Sequence, residues 1–398
     1  MKIRYSEQLR RMIPENERLQ QRETPGLDVV SFEEGLPADE LIPVDALGEA
    51  AQSVLGMGGR ALLSGPAGGL APLRERLCER MAAAGMTAQP EQTIVTSSSL
   101  QAIDFAVRVL AEPGDTVLVE RPANRMALQL FRLNGLQILS VDSGEDGMDL
   151  EEAGRLIREK KTKLIYVMPT FGDPTGRTWS EKRRLQLLEL CGRFGVSILE
   201  DDPYGAIKFG PEAGERSLFA LQGNPEDGPV IYIGTYSSVI APSLQTAWAA
   251  SGSGTVRMME RARRAAAPDT GGFEQRLLEQ LLRSFPLEAH IRRIGEEYGR
   301  RMRDMQAQLR SCMPGDVSWT EPRGGLFLWL ELPEALDAEA LLRCALLKGA
   351  AFIPGAAFYV DRPNRSTARL SFAQTSGERM AVGIARIAEA LEEFTARR

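Results

Sequence analysis

Between Gln92 and Gly252, short apolar runs alternate with stretches whose apolar residues recur at helical spacing. The runs are TIVTS (Thr93–Ser97), TVLVERP (Thr116–Pro122), QILSVDS (Gln137–Ser143), KLIYVMP (Lys163–Pro169), SILEDDP (Ser197–Pro203), VIYIGTYS (Val230–Ser237) and TAWAASG (Thr246–Gly252). Several are almost continuously hydrophobic, as strands covered on both faces are. Patterns such as LQAIDFAVRVLAEPGD and EKRRLQLLELCGRFG read as the helices between them. This rhythm predicts an α/β fold with a mostly parallel seven-stranded sheet and helices on both faces. Ligands bind such sheets beyond the carboxyl ends of the strands, so site residues are expected just after these runs.

A long helical, arginine-rich pattern follows, from about Phe273 to Leu309. Then come GGLFLWLELP (Gly324–Pro333), an amphipathic helix near Ala338–Lys348, FIPGAAFYV, ARLSFA (Ala368–Ala373) and a closing helix, GERMAVGIARIAEALEEF. These predict a second, smaller α+β unit. The expected division is an N-terminal arm with part of the small domain over 1–54, a large domain over 55–282 and the rest of the small domain over 283–398. The start, MKIRYSEQLRRMIPENERLQ, reads as charged and helical, with no apolar run long enough for a signal peptide or a membrane span. The glycine-rich patch Gly56–Gly69 reads as a loop, because it lacks the spacing of a phosphate-binding motif.

The 398 residues suit two domains. With 48 Lys and Arg against 54 Asp and Glu, the net charge of −6 gives no electrostatic case for nucleic acid. The cluster Arg257, Arg261, Arg263 and Arg264 reads as a solvated helix face. Four cysteines, Cys78, Cys191, Cys312 and Cys344, lie far apart without a CxxC pair. They argue against a disulfide framework or a zinc site and fit a reducing cytoplasm. The one histidine, His290, cannot build a multi-histidine metal site and is expected to be structural. No metal is expected.

Further motifs run the length of the chain: SFEEGLPADELIP (Ser31–Pro43), GPAGGLAPLRERL, TSSSLQAID, FGDPTGRTWS, EDDPYGAIKF, GTYSSVIAPSLQTAW (Gly234–Trp248), PRGGLFLWLELP and FIPGAAFY, ending at ARLSFA. In this order they resemble the class I/II aminotransferases, which use pyridoxal 5′-phosphate (PLP). The likeness is to the branch of the 2-aminoadipate and kynurenine aminotransferases and the aminotransferase-like domains of MocR regulators. It implies the PLP-transferase (aspartate aminotransferase-like) fold, a PLP cleft, and a homodimer in which two subunits build each cleft. With no helix-turn-helix segment ahead of it, a whole MocR-type regulator is not expected.

In this family a lysine in a pattern like S-K-x-x-A-P-G-L-R holds PLP as a Schiff base. The matching residues here run from Ser237 to Gln245, and the lysine position is Ser238. A hydroxyl can neither form an imine nor act as an amine base near neutral pH. The resemblance implies further departures. Gln245 replaces the arginine on the cofactor phosphate, and Asp173 replaces the asparagine on the phenolic oxygen. Asn124 stands where an aromatic residue stacks on the ring, and Ser64 where a tyrosine crosses the dimer. In the phosphate loop Ser98 replaces a glycine and Leu100 a glutamine.

Other positions match. Asp201 fits the aspartate on the pyridine nitrogen, and Tyr204 the tyrosine on the phenolic oxygen. Ser97 and Ser99, at a helix start where free N–H groups favour an anion, fit the phosphate loop, and Ser237 adds a hydroxyl. Arg369 fits the arginine that pairs with a substrate carboxylate, and Gly35 the glycine lining the substrate site. Alternatives stay open: the serines as helix caps, Arg369 in a scaffold salt bridge, and Asp201 capping a loop. Lys160, Lys161, Lys163, Lys182, Lys208 and Lys348 are not placed at the cleft mouth by the pattern.

The expected protein is not a conventional transaminase. It is a pseudoenzyme, or a repurposed enzyme using Asp173, Asp201, Tyr204 and Arg369, with Asp201 and Asp173 as acid and base. Its expected ligand is a small amino-acid-like or carboxylate molecule. PLP is expected to be weak, noncovalent or absent. The alternative is a PLP-dependent aminotransferase with noncovalent PLP or a relocated lysine.

Overall fold

A computed structural model describes residues 28–210, 214–267 and 271–396. The helical start expected before residue 28 lies outside them. The first strand, β1 (Val30–Ser31), is followed in the main sheet by β2 (Thr93–Thr96), β3 (Thr116–Arg121), β4 (Gln137–Gly144), β5 (Gly147–Met148), β6 (Leu164–Val167), β7 (Ser197–Asp202), β8 (Val230–Thr235) and β9 (Ala247–Ala250). Their spatial order is β2-β9-β8-β7-β6-β3-β4-β5.

The seven expected strands are all present, and the two-residue β5 adds an eighth by folding back on β4. Strands β4, β3, β6, β7 and β8 run parallel, while β9 lies antiparallel to both β8 and β2. Their centres are buried on both faces, as their unbroken apolar character requires. The strand β7 stops before Pro203, which has no N–H to continue a ladder.

A second sheet is antiparallel: β10 (Ser318–Trp319), β11 (Phe327–Glu331), β13 (Ile353–Pro354) and β14 (Thr367–Ser371), in the order β10-β11-β14-β13. The short β12 (Ala350–Ala351) pairs in parallel with β1. Arg369, in the middle of β14, lies opposite Trp329 on one side and Ile353 on the other.

The long helical pattern expected from about Phe273 to Leu309 is present as two helices, Gly272–Ser284 and Leu287–Cys312. Pro286 supplies no N–H, and Phe285 before it is extended at φ −75°, ψ 130°. One expectation is corrected: the arginine cluster is not wholly solvated. Arg263 is 2% exposed and donates to the carbonyls of Ala67 and Val95, while Arg257, Arg261 and Arg264 are exposed. Val256, Met259 and Arg263 share the buried face of the helix Ser253–Ala266 at helical spacing, so the last of them is carried inward.

Among the described residues no helix is long and apolar enough to cross a membrane, and no cluster of His, Cys, Asp and Glu has the makings of a metal site.

Candidate ligand-binding cleft

At the carboxyl end of β7, Asp201 is 5% exposed. The Tyr166 hydroxyl donates to its Oδ2 at 2.8 Å, while Oδ1 is buried without a partner. Burial pushes the carboxyl up to about 7; the Tyr166 hydrogen bond opposes this, and the charges of Asp202 and Asp173 add to it. Three residues on, the Tyr204 ring meets the Phe327 ring edge-on at 5.4 Å. Burial, with Asp173 and Asp201 nearby, raises its phenol far above the usual range, so it remains a neutral hydroxyl.

The loop after β8 returns to this strand end. Ser238 is buried and donates its hydroxyl to the Pro203 carbonyl at 2.5 Å. The Ser237 hydroxyl accepts from Thr235 Oγ1 at 2.9 Å, and the Ser237 N–H donates to Thr235 Oγ1 at 3.1 Å. His290 is structural: its Nε2 lies 2.8 Å from the Val239 carbonyl, and its ring rests against Phe285. Gln245 is exposed, with a left-handed backbone (φ 44°), at the end of the turn Pro242–Leu244. Ser64 is exposed too.

At the start of the helix Ser99–Leu110, Ser98 is the N-cap; its hydroxyl accepts from the Gln101 N–H at 3.1 Å. The Gln101 side chain accepts from the Ser97 N–H at 2.9 Å. Ser98 thus acts as a cap, and the chain's own carboxamide takes one of the amides expected for an anion. Sequence reading missed Gln101, although the Ser-x-x-Gln spacing of a capping box was there to find.

The remaining group crosses between the two sheets. Arg369 Nη1 pairs with Asp173 Oδ1 at 2.8 Å, and both side chains are 5% exposed. Asn124 Nδ2 donates to Asp173 Oδ2, also at 2.8 Å. Asn124 Oδ1 in turn caps the helix Arg125–Leu133 by accepting from the N–H groups of Met126 and Ala127, each at 3.0 Å. Arg369 Nη2 donates to the Glu33 carbonyl. The guanidinium lies 4.0 Å from the Phe327 ring centre and 5.2 Å from that of Phe358. A Cβ on Gly35 would fall 2.3 Å from the Phe327 ring, so only glycine fits there without a shift. Arg369 therefore holds an internal ion pair. Phe327, Phe358 and the Glu33 carbonyl, which also border it, carry no local sequence signal; the charge of Arg125 lies near as well, and Arg369 Nε is buried without a partner.

The structure thus gathers Asn124, Asp173, Arg369 and Gly35 around Phe327, and Asp201, Tyr204 and Ser238 around the β7 end. Tyr204 faces the charges of both groups. Five of the six described lysines, Lys160, Lys161, Lys163, Lys182 and Lys208, are exposed. The sixth, Lys348, pairs with Glu389 and Glu393.

Residues 28–387 match the family described as aminotransferase class I and II. The chain belongs to this family. It is 35% identical over 373 residues to aromatic-amino-acid aminotransferase 1 of Thermococcus litoralis, covering 92% of this chain and 88% of that protein. It is 34% identical over 381 residues to the 2-aminoadipate transaminase of Thermus thermophilus, covering 96% and 94%. Among solved structures, the α-aminoadipate aminotransferase of Thermus thermophilus, complexed with N-(5′-phosphopyridoxyl)-L-leucine, superposes with a TM-score of 0.90 at 33% identity over 99% of this chain and 98% of that one. The aspartate aminotransferase-like PLP-transferase fold follows from these matches: a single mutant of the aspartate aminotransferase of Thermus thermophilus superposes at a TM-score of 0.86 and 22% identity, over 98% of this chain and all of its own.

Proposed function

We propose that this member of the family is not a conventional transaminase. Its cleft binds a small amino-acid-like or carboxylate ligand, as a pseudoenzyme or a repurposed enzyme. The observation carrying this reading is Ser238. Where the resemblance places the Schiff-base lysine, this chain has a buried hydroxyl donating to the Pro203 carbonyl.

Tested against PLP, the residues fit at one end only. The unpartnered Asp201 Oδ1 suits a ring N–H, and a neutral Tyr204 hydroxyl suits a phenolic oxygen. This favours the second reading, noncovalent PLP held at its ring. The rest does not fit a covalently held cofactor. Gln101 engages an amide of the phosphate loop, Gln245 is exposed, and Asp173 is paired with Arg369. The described lysines are exposed or held by glutamates. An amino-acid-like ligand is supported by the relatives, whose names attach them to 2-aminoadipate and aromatic amino acids. If the cleft is reactive, Asp201, raised to about 7, is the group suited to donate or accept a proton near neutral pH. We also propose a homodimer and, from four free cysteines, a cytoplasmic setting.

The test is a visible spectrum of the purified protein with and without added PLP, followed by borohydride reduction and intact mass. No aldimine band and no reducible adduct are expected. A stable band with an adduct on one lysine overturns the proposal.

A further inference from the structure

We propose that Asp173 lowers the affinity of the cleft for carboxylates by competing for Arg369 itself. This rests on the reading of the cleft as a carboxylate site. Arg369 has a planar fork matched to a carboxylate, and one arm of it is spent on a carboxylate supplied by the chain 196 residues away. The other arm is spent on the Glu33 carbonyl. Phe327 and Phe358 flank the guanidinium, which is buried.

Asp173 is held from its other side as well. Asn124 donates to its second oxygen, and Asn124 is itself fixed by two helix N–H groups. An external carboxylate must therefore break a buried charge-assisted bond and strip Asp173 of its cation. Removing one partner of such a pair is costly because the charge left behind stays buried. The choice between oxygen and nitrogen at one atom of residue 173 thus sets carboxylate affinity. An asparagine there still offers an oxygen but no competing charge, and leaves Arg369 seeking an anion.

The experiment titrates hexanoate, with hexanamide as the uncharged control, into the full-length native protein, Asp173→Asn, Asp173→Ser and the double variant Asp173→Asn/Arg369→Gln. Calorimetry gives affinity, and melting with and without ligand reads coupling to the fold. Asp173→Ser serves as the second variant if the asparagine form folds poorly. Hexanoate is expected to bind either single variant about tenfold to a hundredfold more tightly than native and to raise its melting temperature more. Hexanamide is expected to show no gain, and the double variant to lose the gain. Hexanoate binding equal to or weaker than native, an equal gain for hexanamide, or a gain that survives loss of Arg369 each overturns the proposal. A lysine adduct after borohydride would overturn the pseudoenzyme reading alone, since this comparison reads affinity and not adducts.

Discussion

One oxygen of Asp201 is buried without a partner, and its carboxyl is raised to about 7 by that burial. In the unfolded chain an aspartate titrates near 3.9. Between roughly pH 4 and 7 the folded protein therefore holds the proton more tightly than the unfolded chain. The unfolded chain binds fewer protons there, so this residue's contribution to stability falls as pH rises through that window. Asp201→Asn removes the titration and keeps an acceptor for the Tyr166 hydroxyl. The variant is expected to match the native protein at about pH 4 and to exceed it above pH 7, each unit of separation being worth about 1.4 kcal/mol. Urea unfolding across that range checks this; a difference that does not change with pH contradicts it. Glu120 and Glu200 are also raised to about 7, but they are common to both proteins and cancel in the comparison.

The segment Tyr236–Ala241 opens the connection from β8 to β9, and the helix Leu287–Cys312 holds it through His290. The imidazole nitrogen lies 2.8 Å from the Val239 carbonyl, the residue after Ser238. His290→Ala leaves that carbonyl without the bond and is expected to destabilise the protein by about 1–3 kcal/mol. Hydrogen exchange should show the 236–241 amides opening more readily, with distant strands affected only through global stability. Uniform loss of protection would mean the histidine supports the fold and not the loop. The strands of the main sheet were legible because strands covered on both faces announce themselves as apolar runs. The break at Pro286 was equally open to reading, since proline removes the donor a continuous helix needs. Other features were not legible. A two-residue strand such as β5 has no alternation to detect, and an arginine on a helix normally faces water, so the spacing of Arg263 from Val256 and Met259 was outweighed by its charge. The ion pair of Asp173 and Arg369 joins a turn beyond β6 of the main sheet to β14 of the second sheet. Each residue was identified as a candidate, but their mutual pairing is a property of the packing. Gln101 belongs between these cases, because its spacing from Ser98 was visible and only its effect on the Ser97 amide required the structure.

At the scale of the whole molecule, one stretch of exposed apolar residues is a candidate surface for the proposed homodimer. Leu55, Met57, Leu62 and Leu63 are 56, 55, 56 and 63% exposed within nine residues of one another. Adjacent apolar side chains left in water mark an interaction surface more than scattered ones do. The segment also ends at Ser64, the position that the resemblance assigns to a residue reaching across a dimer. The chain mass is 43.7 kDa, so the native protein is expected to sediment at about twice that value at micromolar concentration. Leu62→Glu/Leu63→Glu places two carboxylates where an apolar contact would form. It is expected to sediment as a single chain with a lowered concentration dependence of melting, while its helix content stays native, since substitutions at exposed positions cost the folded chain little. A native monomer would remove the dimer from the reading. A variant that still pairs would move the interface elsewhere on the surface. In either case the Asp173–Arg369 competition stands, because every residue in it comes from one chain.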